Sequence, residues 1–366
     1  MTKIAVIFGG PSPEHEISVL TGLQAGRILF DAGKDVICIY WTKQGNWIQV
    51  DPKLEAQEFL KTDIPNSTQL ELVIPEGFIE RKKLKSKKVE IDVVLNCSHG
   101  GPGEEGVLSA MLQICGIRVT GPRHDASAIF MDKLATSSVG EAIGVKGIET
   151  IELNEYDREI PFDSPWIVKP RFGGSSVGVE TGVEDFATAK AIFNKGTNRA
   201  GMVIQPYLQG WIDLTISVRT FPNIEVTPIS RPINEDGKIY DYKTKYLQGG
   251  GGMDFAPCEL PAQIPKGITD RIEQATIKLA KGYPITGIPR LDFFWDGKDD
   301  IRLIEINPIP GAFGLYLWKA KGYDRIEILL DLISEAEKQP AKPHQWFNSE
   351  DGSALRVAGT ISGKLQ

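Results

Sequence analysis

The sequence predicts an α/β protein of more than one domain. Three observations carry this. Short apolar strands alternate with helical segments through the first 120 residues, as in a parallel sheet with helices on both faces. The pattern resets at Gly121-Pro122, after which glycine-rich loops separate new strands and helices. The chain has 366 residues, which at about 150 residues per domain gives two or three domains, enough to bury a core without disulfides or structural metal.

The elements follow in order. Residues 4–8 are a buried strand ending at Gly9-Gly10. Residues 16–30 place Ile17, Leu20, Leu23, Ile28 and Leu29 on the apolar side of a helix. Strands are expected at 36–41 and 89–97, a helix at 107–115 and a short strand at 117–120. The stretch 50–90 is polar and mixed, and its basic run Arg81–Lys88 reads as a solvated face. Beyond the reset, helices are expected at 126–142, 186–193, 268–282 and 325–337. Strands are expected at 166–169, 202–207, 214–220, 224–229, 290–295 and 301–306. The tail after Lys338 reads as loosely held.

Composition narrows the function. With 41 basic and 48 acidic residues the net charge is −7, which does not suit binding along a phosphate backbone, so nucleic acid is not an expected partner. None of the four cysteines sits in a Cys-x-x-Cys pair, and buried thiols in a reducing compartment are expected. No run approaches 18 apolar residues and the N-terminus does not read as a signal peptide, so the expectation is a cytoplasmic protein without a membrane partner. Glycine is in excess, at 38 residues. The glycines cluster beside apolar runs, which points to special backbone positions rather than disorder.

Four clusters could carry chemistry. In Lys169-Pro-Arg-Phe-Gly-Gly-Ser-Ser-Val-Gly178 a strand ends on a lysine before a glycine–serine loop. Such a loop can fold N–H groups and hydroxyls over phosphates; an ordinary flexible turn is the alternative. In Arg290-Leu-Asp292 and Glu305-Ile-Asn307, residues two apart share a strand face. Pairing the strands antiparallel would bring Asp292, Glu305 and Asn307 together, an all-oxygen set suited to magnesium, with Arg290 beside an anionic transition state. Leu291, Phe293, Ile304 and Ile306 are expected on the opposite, buried face. In Phe8-Gly-Gly-Pro-Ser-Pro-Glu-His-Glu-Ile-Ser18, acids sit at the carboxyl end of the first strand, where a carboxylate can hold an ammonium group or simply favour a helix N-terminus. The loop 98–106 has the same character. Tyr240-Asp-Tyr-Lys-Thr-Lys-Tyr246 reads by itself as a polar edge strand. A dehydrogenase of the dinucleotide-binding type is excluded, because the first turn lacks G-x-G-x-x-G spacing.

Taken in order, these segments resemble the D-alanine–D-alanine ligase family of ATP-grasp enzymes over about residues 3–335. The motifs are Phe8-Gly-Gly with Glu14-His-Glu16-Ile-Ser18, His99-Gly with Gly103-Glu104-Glu105-Gly106, Met131-Asp132-Lys133, Val168-Lys169-Pro170 with Gly174-Ser175-Ser176-Val177-Gly178, Tyr240–Tyr246, Arg290-Leu-Asp292, Glu305-Ile-Asn307 and Pro310-Gly311. The resemblance implies an ATP-grasp fold of three parts. These are an N-terminal Rossmann-like parallel-sheet domain (1–121), a small central α+β domain (122–209) and a C-terminal α+β catalytic domain (210–337), followed by a tail (338–366). It implies ATP-dependent joining of two small amino-acid substrates through an acyl phosphate, with ATP and magnesium or manganese as cofactors and a homodimer as the assembly.

Residue by residue, the resemblance places Lys133, Lys169, Ser175, Ser176 and Lys245 at the nucleotide phosphates. Gln205 and Leu208 fall at adenine and Asp213 at ribose. It places Asp292, Glu305 and Asn307 at the metal, and Arg290 with Gly311 at the oxyanion. Glu16, His99, Glu104, Lys245 and Tyr246 fall at the amino acids, with Glu16, Ser175 and Tyr246 as a hydrogen-bonded trio. The intact Arg290, Asp292, Glu305 and Asn307 set argues against a non-catalytic nucleotide-binding protein.

Two departures lie on the acceptor side. The run after Gly311 is shortened by about four residues relative to the family and lacks its acceptor-binding serine, leaving Tyr316 as the nearest hydroxyl. The loop after Tyr246 carries the glycine cluster 249–252. The same chemistry with an acceptor other than D-alanine is therefore the alternative expectation.

Overall fold

The computed structural model describes residues 2–61, 63–82, 85–154, 156, 159–174, 176–195, 201–233, 257–340 and 356. Its first body is an eight-stranded sheet. The strands are β1 (Ile4–Gly9), β2 (Val36–Trp41), β3 (Trp47–Val50), β4 (Thr68–Val73), β5 (Gly77–Lys82), β6 (Lys85–Lys88), β7 (Val93–Asn96) and β8 (Arg118–Val119). Their spatial order is β6-β5-β4-β3-β2-β1-β7-β8. β1 pairs in parallel with β2 and β7, and β7 with β8. The parallel half matches the expectation. The stretch read as polar and mixed instead forms the antiparallel meander β3–β6. These strands are at most partly buried, and β6 is exposed throughout, so they need few apolar residues.

Helix α1 (His15–Asp31) lies on this sheet so closely that a Cβ on Gly22 would enter the Phe8 ring. The short helix α2 (Gly101–Glu104) and α3 (Val107–Ile114) follow β7. The expected helix 126–142 is two helices, α4 (His124–Met131) and α5 (Lys133–Ile143). The break is Asp132, which leaves helical geometry and caps α5 by accepting from the N–H groups of Leu134 and Ala135.

A second, four-stranded antiparallel sheet consists of β9 (Ile151–Leu153), β10 (Trp166–Pro170), β11 (Glu180–Val183) and β12 (Met202–Pro206), in the order β11-β10-β12-β9. Helix α6 (Phe186–Lys195) packs on it through the buried Ala189. A third sheet consists of β13 (Ile212–Arg219), β14 (Glu225–Val226), β17 (Arg290–Trp295) and β18 (Ile301–Asn307). Between β14 and β17 in sequence come the two-stranded ribbon β15 (Arg231–Pro232) with β16 (Cys258–Glu259), then α7 (Lys266–Gly282). α7 covers this sheet with Ile268, Ile272 and Leu279. A turn at Gly311–Gly314 leads into α8 (Leu315–Lys321) and α9 (Arg325–Lys338). α9 returns to the first sheet, where Ile328, Leu329, Leu332 and Ile333 share a core with Val6, Phe8 and Leu95. That packing ties the carboxyl-terminal half of the chain to the amino-terminal half. Among the described residues no helix is long and apolar enough to cross a membrane.

Candidate active site

The second and third sheets face each other across a cavity of about 300 Å³. On β10, Ile167 and Lys169 share the cavity face, and the antiparallel register sets Gln205 of β12 opposite Ile167. Lys169 is buried. Burial and the neighbouring Lys133 ammonium push its pKa down to about 8, although Glu305 opposes the shift. Lys133, at the first turn of α5, is also buried and depressed, with Glu305, Glu14 and Asp132 partly compensating. Its Nζ donates to the Gly173 carbonyl at 2.6 Å. The base of the glycine-rich loop is fixed by Arg171, which forks onto Asp132 at 2.6 and 2.8 Å and reaches Glu152 at 2.8 Å. Two desolvated ammonium groups under a glycine loop make a site for a polyanion. Ser176 lines the cavity with φ near 57°.

Ile148, Ile167, Leu208, Phe294 and Ile304 line the cavity and offer apolar surface for a flat ring. Gln205 is buried there, and its amide nitrogen donates to Thr150 Oγ1 at 2.7 Å. That contact aims the side-chain carbonyl as an acceptor. Asp213 lines the same cavity.

The oxygen cluster forms as its strand placement required. The register pairs Asp292 with Glu305 and Arg290 with Asn307. The Asn307 amide lies 3.1 Å from Asp292 Oδ2 and 3.5 Å from Glu305 Oε1. Two carboxylates and an amide whose oxygen can be turned inward suit a hard divalent cation. Arg290 forks onto Asp292 at 2.9 and 2.7 Å, and Thr215 donates to Asp292 at 3.0 Å. Ile304 faces the cavity rather than the core, because a bulge between the Asp292 and Phe293 pairings inserts it beside Glu305 and shifts the alternation. Leu291, Phe293 and Ile306 are buried as expected.

The amino-terminal acids are rearranged relative to expectation. Glu16 points out of the cleft: its side chain is 72% exposed and pairs with Lys43 at 3.7 Å. Glu14, two residues earlier at the N-cap of α1, is the acid in the cleft. A Cβ on Gly100 would lie 2.7 Å from Glu14 Oε2, and one on Gly174 3.4 Å from it. The physical reason is the helix itself. At about 100° per residue, side chains two residues apart at the start of a helix point in roughly opposite directions, so Glu14 and Glu16 cannot face the same side.

His99 and Glu104 are also relocated in role. Both are buried, and their polar atoms hold backbone groups and the Thr21 hydroxyl rather than face open space. His99 Nδ1 is 2.8 Å from the Ile309 carbonyl and Nε2 is 2.7 Å from Thr21 Oγ1. Burial pushes the His99 pKa down to about 4, so the ring is neutral at physiological pH. Glu104 accepts from the Gly100 N–H at 2.7 Å and the Ile309 N–H at 3.0 Å. Burial and the nearby Glu14 carboxylate raise its pKa to about 8.

Gly311 and Tyr316 line the cavity together with Arg290, whose charge acts on the Tyr316 phenol. Burial pushes the Tyr316 phenol up to about 12, with Arg290 opposing and a hydrogen bond to Ser230. After Gly311, Ala312 and Phe313 both adopt positive φ, 46° and 56°. Each costs about 1–3 kcal/mol for a non-glycine residue, so surrounding contacts must hold the turn. Ser175, Lys245, Tyr246 and the glycine cluster 249–252 lie outside the described residues. Thr21, Thr150, Thr215 and Ser230 were not singled out from sequence, and Glu14 stood there only as one of two acids after the first strand, without the substrate role given to Glu16. Only Glu14 carried a signal, its N-cap position before an apolar helix.

Comparison with known proteins agrees with this geometry. The family model described as D-ala D-ala ligase N-terminus matches residues 3–122, and that described as D-ala D-ala ligase C-terminus matches residues 149–334. The D-alanine–D-alanine ligase of a Nitratiruptor species is 30% identical over 323 residues, 86% of this chain and 90% of that protein. The D-alanine–D-alanine ligase of Thermosipho melanesiensis is 30% identical over 344 residues, 91% of this chain and 93% of that protein. The crystal structure of the D-alanine–D-alanine ligase from Helicobacter pylori superposes with a TM-score of 0.73 at 25% identity, covering 93% of this chain and 100% of that one. The chain belongs to the D-alanine–D-alanine ligase family of ATP-dependent ligases that form peptide bonds.

Proposed function

We propose that the chain joins two D-alanine molecules with cleavage of ATP to ADP and phosphate, in three units (1–121, 122–209 and 210–337) followed by a tail. The observation that carries the reading is the convergence of Lys133 and Lys169, the Asp292–Glu305–Asn307 cluster and Arg290 with Gly311 on one cavity. Relatives named for D-alanine on both sides favour that acceptor over the alternative.

The residues divide the work as follows. Gln205, Leu208 and Asp213 orient the nucleoside. Lys133 and Lys169, with Ser176, neutralise the phosphates. Asp292, Glu305 and Asn307 would hold a magnesium or manganese ion, which supplies charge neutralisation on the phosphoryl oxygens when bound. Glu14 holds the donor's ammonium group, so the donor carboxylate faces the γ-phosphate. That carboxylate attacks phosphorus, the bond to the bridging oxygen breaks, and ADP leaves with the bonding pair. The acceptor's free amine then attacks the acyl carbon. Arg290 and the Gly311 N–H face the oxyanion, where fixed donors count most. Collapse expels phosphate, and the amine proton is lost. Tyr316, paired with Ser230, meets the acceptor's carboxylate in place of the missing serine. Positioning and charge neutralisation are the main contributions. The test is incubation with ATP, magnesium and D-alanine: dipeptide, ADP and phosphate should form in equal amounts, and ADP without dipeptide contradicts the reading.

Lys169 adds a pH dependence. Below pH about 8 it is protonated with or without nucleotide, so affinity is flat. Above that, binding must bring a proton with it, and ATP affinity falls by up to about tenfold per pH unit. In Lys169→Arg the charge persists and the decline should flatten. A titration of Kd for ATP from pH 6.5 to 9.5 measures both.

A further inference from the structure

We propose that Thr21, acting with His99, is a positioning residue that presents the Gly311 turn to the reacting carbonyl. The inference rests on reading Gly311 as the backbone group that faces the oxyanion.

Thr21 sits on α1, in the amino-terminal body, and is completely buried. Its Oγ1 accepts the Ala312 N–H at 3.1 Å and lies 2.7 Å from His99 Nε2. His99 Nδ1 lies 2.8 Å from the Ile309 carbonyl. Every proton in this chain of contacts can be assigned. A carbonyl only accepts, so Nδ1 carries the hydrogen. The ring is neutral, so Nε2 accepts. The Thr21 hydroxyl therefore donates to Nε2 and has a lone pair free for Ala312. Glu104 completes the grip by accepting the Ile309 N–H at 3.0 Å.

Gly311 is thus bracketed. Ile309 is held through both backbone groups, and Ala312 through its N–H. The bracket is needed, because Ala312, Phe313 and Gly314 stand consecutively at φ 46°, 56° and 56°. A run of left-handed residues, two of them with side chains, does not persist by local preference. The groups that hold it come from α1, the loop after β7 and α2, while Gly311 belongs to the carboxyl-terminal half. The site is therefore assembled by docking the two halves, and Thr21 joins the Ala312 N–H to the histidine.

Thr21→Val keeps the volume and removes the hydroxyl. It leaves the Ala312 N–H and His99 Nε2 without partners. Thr21→Ala does the same without filling the space and serves if the valine form does not fold. Thr21→Ser restores both bonds. Misplacing a catalytic group by about an ångström costs on the order of 10²-fold. The expected result is kcat lowered about 10–100-fold, KM for ATP unchanged within about twofold, and recovery of most of the activity in the serine variant. Faster hydrogen exchange at the Ala312 amide should accompany the loss. Wild-type kcat in the folded valine or alanine variant overturns the proposal, whatever the exchange rate. So does an equal loss in the serine variant. Failure of the wild-type chain to form dipeptide would instead count against the ligase reading, so the two failures are separable.

Discussion

Replacing Glu14 by glutamine should cut kcat/KM for the donor amino acid by about 10–100-fold, the worth of a hydrogen bond to a charged group. The same change at Glu16 should leave it within error of wild type. The two acids are two residues apart, but only Glu14 lies against Gly100 and Gly174, where the loops of the amino-terminal and central sheets approach each other. Glu16 makes an exposed pair with Lys43, the kind of contact worth about 0–1 kcal/mol. Initial rates at fixed ATP and varied D-alanine distinguish the two. Equal losses in both variants, or a loss only in Glu16→Gln, would contradict the assignment.

Arg290→Ala should lower kcat by about 10²–10³-fold, the usual consequence of removing an oxyanion donor, while nucleotide binding is retained. Arg290 is forked onto Asp292 and is the cation whose field reaches His99, Glu104 and Tyr316. Its removal therefore changes the charge of the whole acceptor end. Lysine keeps the charge but loses the planar fork, so Arg290→Lys should recover only a fraction of the lost rate. Steady-state turnover together with calorimetric ADP binding checks both halves of the expectation. Lost ADP binding would place Arg290 with the nucleotide instead.

Much of the molecule was legible in its sequence because hydrophobic period and strand alternation are local. The strand pair carrying Arg290, Asp292, Glu305 and Asn307 is the strongest case: period two put the polar residues on one face, and the register brought them into contact. The Ile304 bulge was not legible, since an extra residue in one strand leaves no mark on composition. The β3–β6 meander was missed because half-buried antiparallel strands need few apolar residues. Glu14 and Glu16 cannot be ranked by type or spacing; the start of α1 ranks them. The resemblance put His99 and Glu104 at the substrate. Their partners Ile309 and Thr21 lie far away in sequence or on another element, and only the docked halves reveal that these side chains hold Ile309 and Thr21.

The central claim is that the donor carboxylate becomes an acyl phosphate in the cavity between the second and third sheets. D-Alanine labelled with oxygen-18 in both carboxylate positions tests it most directly. If the carboxylate attacks the γ-phosphate and phosphate later leaves, each dipeptide formed delivers one labelled oxygen to inorganic phosphate, read by mass spectrometry. Phosphate free of label, with dipeptide still forming, would contradict the account.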